Sequence, residues 1–177
     1  TIMDLKDYIR SIKDYPKKGI LFRDITTLIK NETAFEETIN QIVERSKKFK
    51  LDKIAAIESR GFVFASAVSY ILKKPFIMLR KKNKLPADVH SVDFALEYGT
   101  ATIEVHKDSI SENDSVLIID DLIATGGTAD AAAKLIEISK GHVAAFIFVI
   151  NLFDLGGCDN LKKKGYKVEN LMEFPGH

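Results

Sequence analysis

Three observations predict an open, doubly wound α/β fold with a mostly parallel sheet. First, "KIAAIES" (53–59), "SVLIID" (115–120) and "HVAAFIFVIN" (142–151) are apolar throughout, the pattern of strands covered on both faces. Second, these runs alternate with segments of helical periodicity, which implies helices packed on a parallel sheet. Third, polar or glycine-rich chemistry follows the strand ends, where such sheets bind ligands. It is found in "ESRG" (58–61), "RKKNK" (80–84) and "DDLIATGGT" (120–128).

The elements follow in order. Residues 33–49 read as a helix, with Thr33 and Glu36 as a capping-box pair and Phe35, Ile39, Ile42, Val43 and Phe49 on one face. A buried strand then ends at Glu58, and Gly61 to Leu72 reads as the next helix. "PFIML" (75–79) is a strand, while the polar and basic residues 81–93 read as a long loop. "TATIEVH" (100–106) alternates as a strand, and 115–120 is buried. An Ala-rich helix runs from Thr128 to Ser139 and ends before Gly141, and 142–151 is a long buried strand. The C-terminal "LMEFPGH" reads as a surface tail with no role.

At 177 residues, with no repeat, linker or low-complexity tract, the chain fits one domain able to bury a core. A hydrophobic content of 46% with 29% charged residues is that of an ordinary globule, and a net charge of +1 gives no global attraction to nucleic acid or anionic membrane. Any electrostatic site must be local. Cys158 is the only cysteine, which rules out an intrachain disulfide and suits a reducing, cytoplasmic compartment. His90, His106, His142 and His177 have no zinc-site spacing. Lys6, Asp7 and Arg10 break any signal-like apolar stretch, and no run reaches membrane-spanning length.

In "DDLIATGGT", Gly126 and Gly127 permit backbone conformations that converge amides on an anion. Thr125 and Thr128 add hydroxyls, Thr128 stands where it can cap the next helix, and that helix's N-terminus adds positive potential. The Walker lysine is missing, and the spacing is not the dinucleotide G-x-G-x-x-G. Asp120 and Asp121 instead suit vicinal sugar hydroxyls, as acids do for ribose in other α/β folds. A phosphate at the loop with a ribose over the acids is a 5-phosphoribosyl group. The same letters also fit a plain strand-to-helix turn with two solvated acids.

Six segments in register resemble the type I phosphoribosyltransferases, and within them the adenine phosphoribosyltransferase family. They are "GILFRDIT" (19–26), "ESRGF" (58–62), "RKKNKLP" (80–86), "LEYG" (96–99), "DDLIATGGT" and "NLFDLGG" (151–157), and they cover nearly the whole chain. Asn83 and Phe94 depart from the pattern, standing where the family usually has a glycine and an aromatic hydroxyl.

The resemblance implies one domain over 1–177, with about residues 1–30 forming an N-terminal hood that contributes to the base site. It implies transfer of 5-phosphoribose from phosphoribosyl pyrophosphate to N9 of adenine, giving AMP and pyrophosphate in purine salvage. Leu21, Phe22 and Arg23 would bind adenine, Leu21 and Arg23 through main-chain groups. Phe22 can stack on a base, though it also fits a core residue. Glu58, Ser59, Arg60, Arg80, Lys81 and Lys84 would bind pyrophosphate, with a non-proline cis bond in the 58–61 loop. Without the resemblance, Arg60 also fits a surface ion pair and 80–84 a solvated basic loop. Asp120, Asp121, Ala124, Thr125, Gly126, Gly127 and Thr128 would hold the ribose and its phosphate. Glu97 and Tyr98 would be catalytic, on a flap closing over the base; Glu97 alone also fits an exposed strand-edge carboxylate. Mg²⁺ would be held mainly by substrate oxygens and water. A homodimer is implied, with residues 80–84 reaching the neighbouring subunit's site. The alternatives are a transferase for another purine and a phosphoribosyl-pyrophosphate-sensing regulator.

Overall fold

The computed structural model of the protein describes residues 3–96 and 98–177. A 3-10 turn (Leu5–Tyr8) leads into two short strands, β1 (Arg10–Lys13) and β2 (Leu21–Asp24), which pair antiparallel as a separate two-stranded sheet. Then come α1 (Thr26–Ile29), α2 (Glu32–Ser46), β3 (Lys53–Ile57), α3 (Arg60–Leu72) and β4 (Phe76–Lys81). β5 (Val89–Ala95) and β6 (Thr100–His106) form a hairpin, followed by β7 (Ser115–Ile123), α4 (Gly127–Ile138) and β8 (His142–Leu152). A 3-10 turn (Phe153–Leu155), α5 (Gly157–Lys163) and β9 (Val168–Phe174) complete the chain.

The main sheet has the order β5-β6-β4-β3-β7-β8-β9. β4, β3, β7, β8 and β9 are mutually parallel, and the β5–β6 hairpin is antiparallel at one edge. Because side chains alternate along a strand, each central strand feeds two cores. Ala55, Ile57, Leu79, Ile118 and Phe148 pack with Ala132, Ala133 and Leu135 of α4. On the other face Ile54, Ala56, Leu117, Ile119 and Ile147 pack with Phe64 and Val68 of α3 and Ile39 and Ile42 of α2. Phe64, Phe146 and Leu79 are wholly buried, each worth about 1.5–3 kcal/mol of transfer free energy.

The predicted α/β architecture is present, with differences at its edges. α2 begins at Glu32, because Asn31 holds extended backbone and its side chain accepts from the Ala34 amide at 2.9 Å. Thr33 is therefore already helical, and the Thr33–Glu36 capping box is not formed. Likewise α4 starts at Gly127 after the left-handed Gly126, with no side-chain cap, so Thr128 sits in the first turn. The last five residues of the expected 81–93 loop belong to β5. Its Val92 and Phe94 pack on the core, while Ser91 and Asp93 alternate with them outward. The C-terminal tail is β9, parallel to β8, with Met172 buried. Its covered face is short, and edge strands of that kind carry weak periodicity. Among the described residues no helix is long and apolar enough to cross a membrane.

The winding positions the site. α3 connects β3 to β4 across one face, and α4 connects β7 to β8 across the other. The chain thus leaves adjacent strands β3 and β7 in opposite directions, and a crevice opens beyond their carboxyl ends.

Candidate active site

A cavity of about 540 Å³ occupies that crevice. Glu58, Ser59 and Arg60 line it from β3, Asp120 to Ile123 from β7, Ala124 to Ala129 from the loop and α4, and Phe94 to Leu96 from the β5 end. Lys81 also reaches it, and Phe148 forms part of its floor.

The loop after β7 runs from Ala124 through Gly126 into α4. Gly126 has φ of 92°, a left-handed backbone where other residues are strained. A Cβ there would also lie 3.1 Å from Gly157, the residue that opens α5. A side chain on Gly157 would come within 2.5 Å of the Ala124 carbonyl, and its own amide donates to that oxygen at 3.1 Å. The "LGG" turn therefore buttresses the loop after β7 from behind. Gly127 differs: it is exposed, and a Cβ on it would meet only the Ala95 carbonyl at 3.9 Å. What Gly127 keeps free is the approach to the first amides of α4, which lack intrahelical partners.

The acid pair sits at the end of β7. Asp121 is buried and takes Arg60 Nε at 2.8 Å, and its amide donates to Asp120 Oδ1 at 2.8 Å. A Cβ on Gly61 would fall 2.9 Å from Asp120 Oδ1 and 3.2 Å from the Ile119 carbonyl. Gly61 thus lets α3 lie directly against β7. Burial of the Asp120 carboxyl, reinforced by the Asp121 charge, raises its pKa well above the ordinary value. Two acids share one partly desolvated site, and Arg60 compensates only part of their charge.

The Glu58–Ser59 peptide bond is cis, in the loop where the resemblance implied such a bond. Glu58 accepts from the Lys81 amide at 2.7 Å and from Arg80 Nε at 3.3 Å. Burial alone would raise its carboxyl; the Lys81 amide and the Arg80 charge outweigh this and hold it below the usual carboxylate range. Glu58 thus organises the end of β4. Of the basic run, Lys81 lines the cavity, Arg80 is turned to Glu58, and Lys84 is exposed beyond it. Asn83 has φ of 68°, which explains its place where the family carries glycine, since asparagine tolerates the left-handed region. Its amide donates to the buried Glu104 at 2.9 Å.

β2 supplies no lining residue but approaches the cavity through Arg60. The Phe22 ring stands 5.9 Å from the Arg60 guanidinium and edge-on to Tyr15 at 5.1 Å. Leu21 and Arg23 flank it, and the Arg23 side chain is directed to the C-terminal segment, where its Nη2 donates to the Pro175 carbonyl at 3.0 Å. Tyr98 is exposed, with Lys17 Nζ 5.2 Å from its ring centroid, so a hood residue touches the hairpin tip. Glu97 lies outside the described residues.

Sequence reasoning missed Phe94, Ala95, Leu96, Ile57, Leu122, Ile123, Ala129 and Phe148 as lining residues. The alternation in 89–95 was the available signal for the first two. Phe148 read as core, while Leu122 and Ile123 lay inside the strand-end motif without a role of their own, and β7 in fact continues through them to the cavity.

With this geometry in place, comparison with known proteins is direct. Residues 24–170 match the phosphoribosyl transferase domain. The chain is 83% identical over 175 residues to the adenine phosphoribosyltransferase of Pelagibacter ubique, covering 99% of this chain and 100% of that protein. It superposes on the adenine phosphoribosyltransferase crystal structure from Thermoanaerobacter pseudethanolicus with a TM-score of 0.92 at 44% identity, covering 96% and 98% of the two chains. The Saccharomyces cerevisiae enzyme, complexed with adenine and an imino-altritol bisphosphate, superposes with a TM-score of 0.87 at 33% identity over 94% and 96%. The chain belongs to the adenine phosphoribosyltransferases, enzymes of purine salvage within the phosphoribosyltransferase family.

Proposed function

We propose that the chain transfers 5-phosphoribose from phosphoribosyl pyrophosphate to N9 of adenine, releasing pyrophosphate and forming AMP, with the following division of labour. The observation that carries it is the convergence of the loop after β7 and the acid pair on one cavity, with Phe22 beside Arg60, one of its lining residues. Ala124, Thr125, Gly126, Gly127 and Thr128 hold the 5-phosphate through loop amides, hydroxyls and the start of α4. Asp120 and Asp121 take the ribose hydroxyls, and their charge favours the positive sugar ring that develops as the bond to pyrophosphate weakens.

Arg60 neutralises Asp121 in the free chain and turns to the diphosphate in the complex, beside the Ser59 loop and Lys81. Phe22 stacks on adenine, and the main chain of Leu21 and Arg23 reads its edge. Glu97 takes the N7 proton as the N9 bond forms, and Tyr98 orders the flap above it.

Among the described residues no cluster of three or more His, Cys, Asp and Glu side chains is placed to hold a metal. The acid pair offers at most two carboxylates, which fits a Mg²⁺ carried by substrate oxygens and water. When bound, the ion neutralises charge on the departing pyrophosphate.

A homodimer belongs to the same proposal. Val63, Tyr70 and Ile71 of α3 and Met78 of β4 are exposed apolar residues on one face of the sheet, suited to burial against a second copy. Arg80 and Lys84 then serve the partner's site. A cytoplasmic address rests on the unpaired thiol of Cys158.

The test is labelled phosphoribosyl pyrophosphate offered with each purine in turn. Labelled AMP with adenine is expected; product only with another base, or none with any, overturns the assignment.

A further inference from the structure

The Arg23 side chain does not line the cavity, and its guanidinium is engaged on the far side of the hood. Nη1 donates to Ser11 Oγ at 2.6 Å, and Nη2 to the Pro175 carbonyl at 3.0 Å. Its Cζ lies 4.7 Å from the centroid of the Phe174 ring, which also carries Lys6 Nζ at 5.1 Å. Nε is sealed from solvent and has no hydrogen-bond partner among the described residues. A guanidinium in this setting depends on its stack and its two bonds to stay where it is.

The segment it grips is itself fixed. Phe174 ends β9 opposite Leu152 of β8. The Gly176 amide donates to Asp154 Oδ1 at 2.6 Å, and a Cβ on Gly176 would fall 2.6 Å from Leu155. Asp154 and Leu155 run directly into Gly156 and Gly157, the turn that buttresses the phosphate loop. A continuous line of contacts therefore leads from the phosphate loop through 154–157, the C-terminal segment and Arg23 to β2.

From this continuity we propose that the C-terminal segment Phe174–Gly176, gripped by Arg23, is a strut that positions the base strand against the phosphate loop. The inference rests on the proposed reading of β2 as the base site. Arg23, Phe174 and Pro175 are positioning residues in this scheme. They hold the base in line with the sugar carbon, where a misplacement of about 1 Å can cost roughly 10²-fold in rate. The hood's own integrity is secured elsewhere. Asp24 is buried and accepts from Arg10 Nε at 2.9 Å and from the Thr26 amide and hydroxyl at 2.9 and 2.7 Å. Loss of the strut leaves the hood folded and free to shift.

The test uses Arg23→Met, Phe174→Leu and their combination, with Phe174→Tyr as the conservative variant and Phe22→Leu reporting on the base site itself. Adenine KM, phosphoribosyl-pyrophosphate KM, kcat and melting temperature are measured on each full chain. Arg23→Met and Phe174→Leu are each expected to raise the adenine KM roughly tenfold, the equivalent of about 1.4 kcal/mol, while the phosphoribosyl-pyrophosphate KM holds. The double variant is expected to be no worse than the worse single, because both act through one contact. Phe174→Tyr, which keeps the ring, retains the wild-type adenine KM. A lower melting temperature with unchanged adenine KM, or an equal rise in both KM values, overturns the strut. If Phe22→Leu alone raises the adenine KM, the strut is wrong and the base site stands. If none of the variants does, both fall.

Discussion

The two halves of the proposed active site, a phosphate side and a base side, are built in different ways. The phosphate side is local: Asp120 to Thr128 lie in one uninterrupted stretch, and their chemistry comes from residue identity and from glycine backbone at a strand end. The base side is assembled from a distance. Phe22 stands over Arg60, and Arg23 is fixed by Pro175, 152 positions along the chain. Binding a phosphate needs a fixed local backbone form, so its signature survives in the letters. Placing a flat base above a sugar needs two remote segments held at a set distance, which no short motif records.

The largest expected effect falls on the local half. Gly127→Val should leave the fold intact, since a Cβ there meets only the Ala95 carbonyl at 3.9 Å. It should nevertheless block approach to the α4 amides. Losing two charge-assisted hydrogen bonds, at about 1.5–3 kcal/mol each, weakens phosphoribosyl-pyrophosphate binding by roughly 10²–10⁴-fold. Calorimetry checks this, and wild-type affinity would remove the loop from the site.

A comparable loss, for a different step, is expected if Glu97 is the proposed proton acceptor. Glu97→Gln keeps the shape but cannot carry the adenine proton, so single-turnover rates should fall by about 10²–10⁴-fold with phosphoribosyl-pyrophosphate affinity unchanged. A wild-type single-turnover rate would deny Glu97 a proton-transfer role.

The acid pair predicts a smaller and opposite pair of effects. The Asp120 carboxyl has its pKa raised by burial and by Asp121. Its protonated form is favoured by folding, so its contribution to stability is present at low pH and lost as pH rises toward its folded pKa; at neutral pH it is a net cost. Asp120→Asn removes that cost and keeps an oxygen for the Asp121 amide. Turnover should fall while the melting temperature rises by about 2–4 °C for each 1 kcal/mol relieved. A fall in both would mean that Asp120 stabilises the free chain.

On the hood side the pH dependence has the other sign. Burial would raise Asp24, but the Thr26 amide and hydroxyl and Arg10 hold its pKa down to about 2, against an ordinary value of 3.8. Its contribution is complete above the ordinary value and is lost as pH falls toward about 2. Hydrogen exchange in β1 and β2 of the Asp24→Asn variant should differ from wild type at neutral pH, and the difference should shrink across that window. A difference independent of pH would assign the effect to packing.

The fold and the phosphate half were legible for the same reason: strands 53–57, 115–123 and 142–152 are buried on both faces, and burial leaves an apolar run that periodicity detects. β5 was hidden by the basic loop before it, although Val92 and Phe94 alternate with Ser91 and Asp93. β9 was hidden because it is a half-covered edge whose final Phe174 is only partly buried against the core and also carries Arg23. Gly61 was legible as a motif but not in its work. Its missing side chain is what lets α3 meet Asp120. The helix starts at Asn31 and Gly126 were misplaced because several neighbouring residues could cap, and only backbone dihedrals decide among them.

The separation of the two halves is tested most directly on Phe22→Ala. Phosphoribosyl-pyrophosphate affinity is measured by calorimetry and adenine KM by steady-state kinetics on the same preparation. Stacking of one base is worth about 1–3 kcal/mol, so the adenine KM should rise roughly tenfold or more while phosphoribosyl-pyrophosphate affinity stays at its wild-type value. Lost phosphoribosyl-pyrophosphate affinity with an unchanged adenine KM would contradict it.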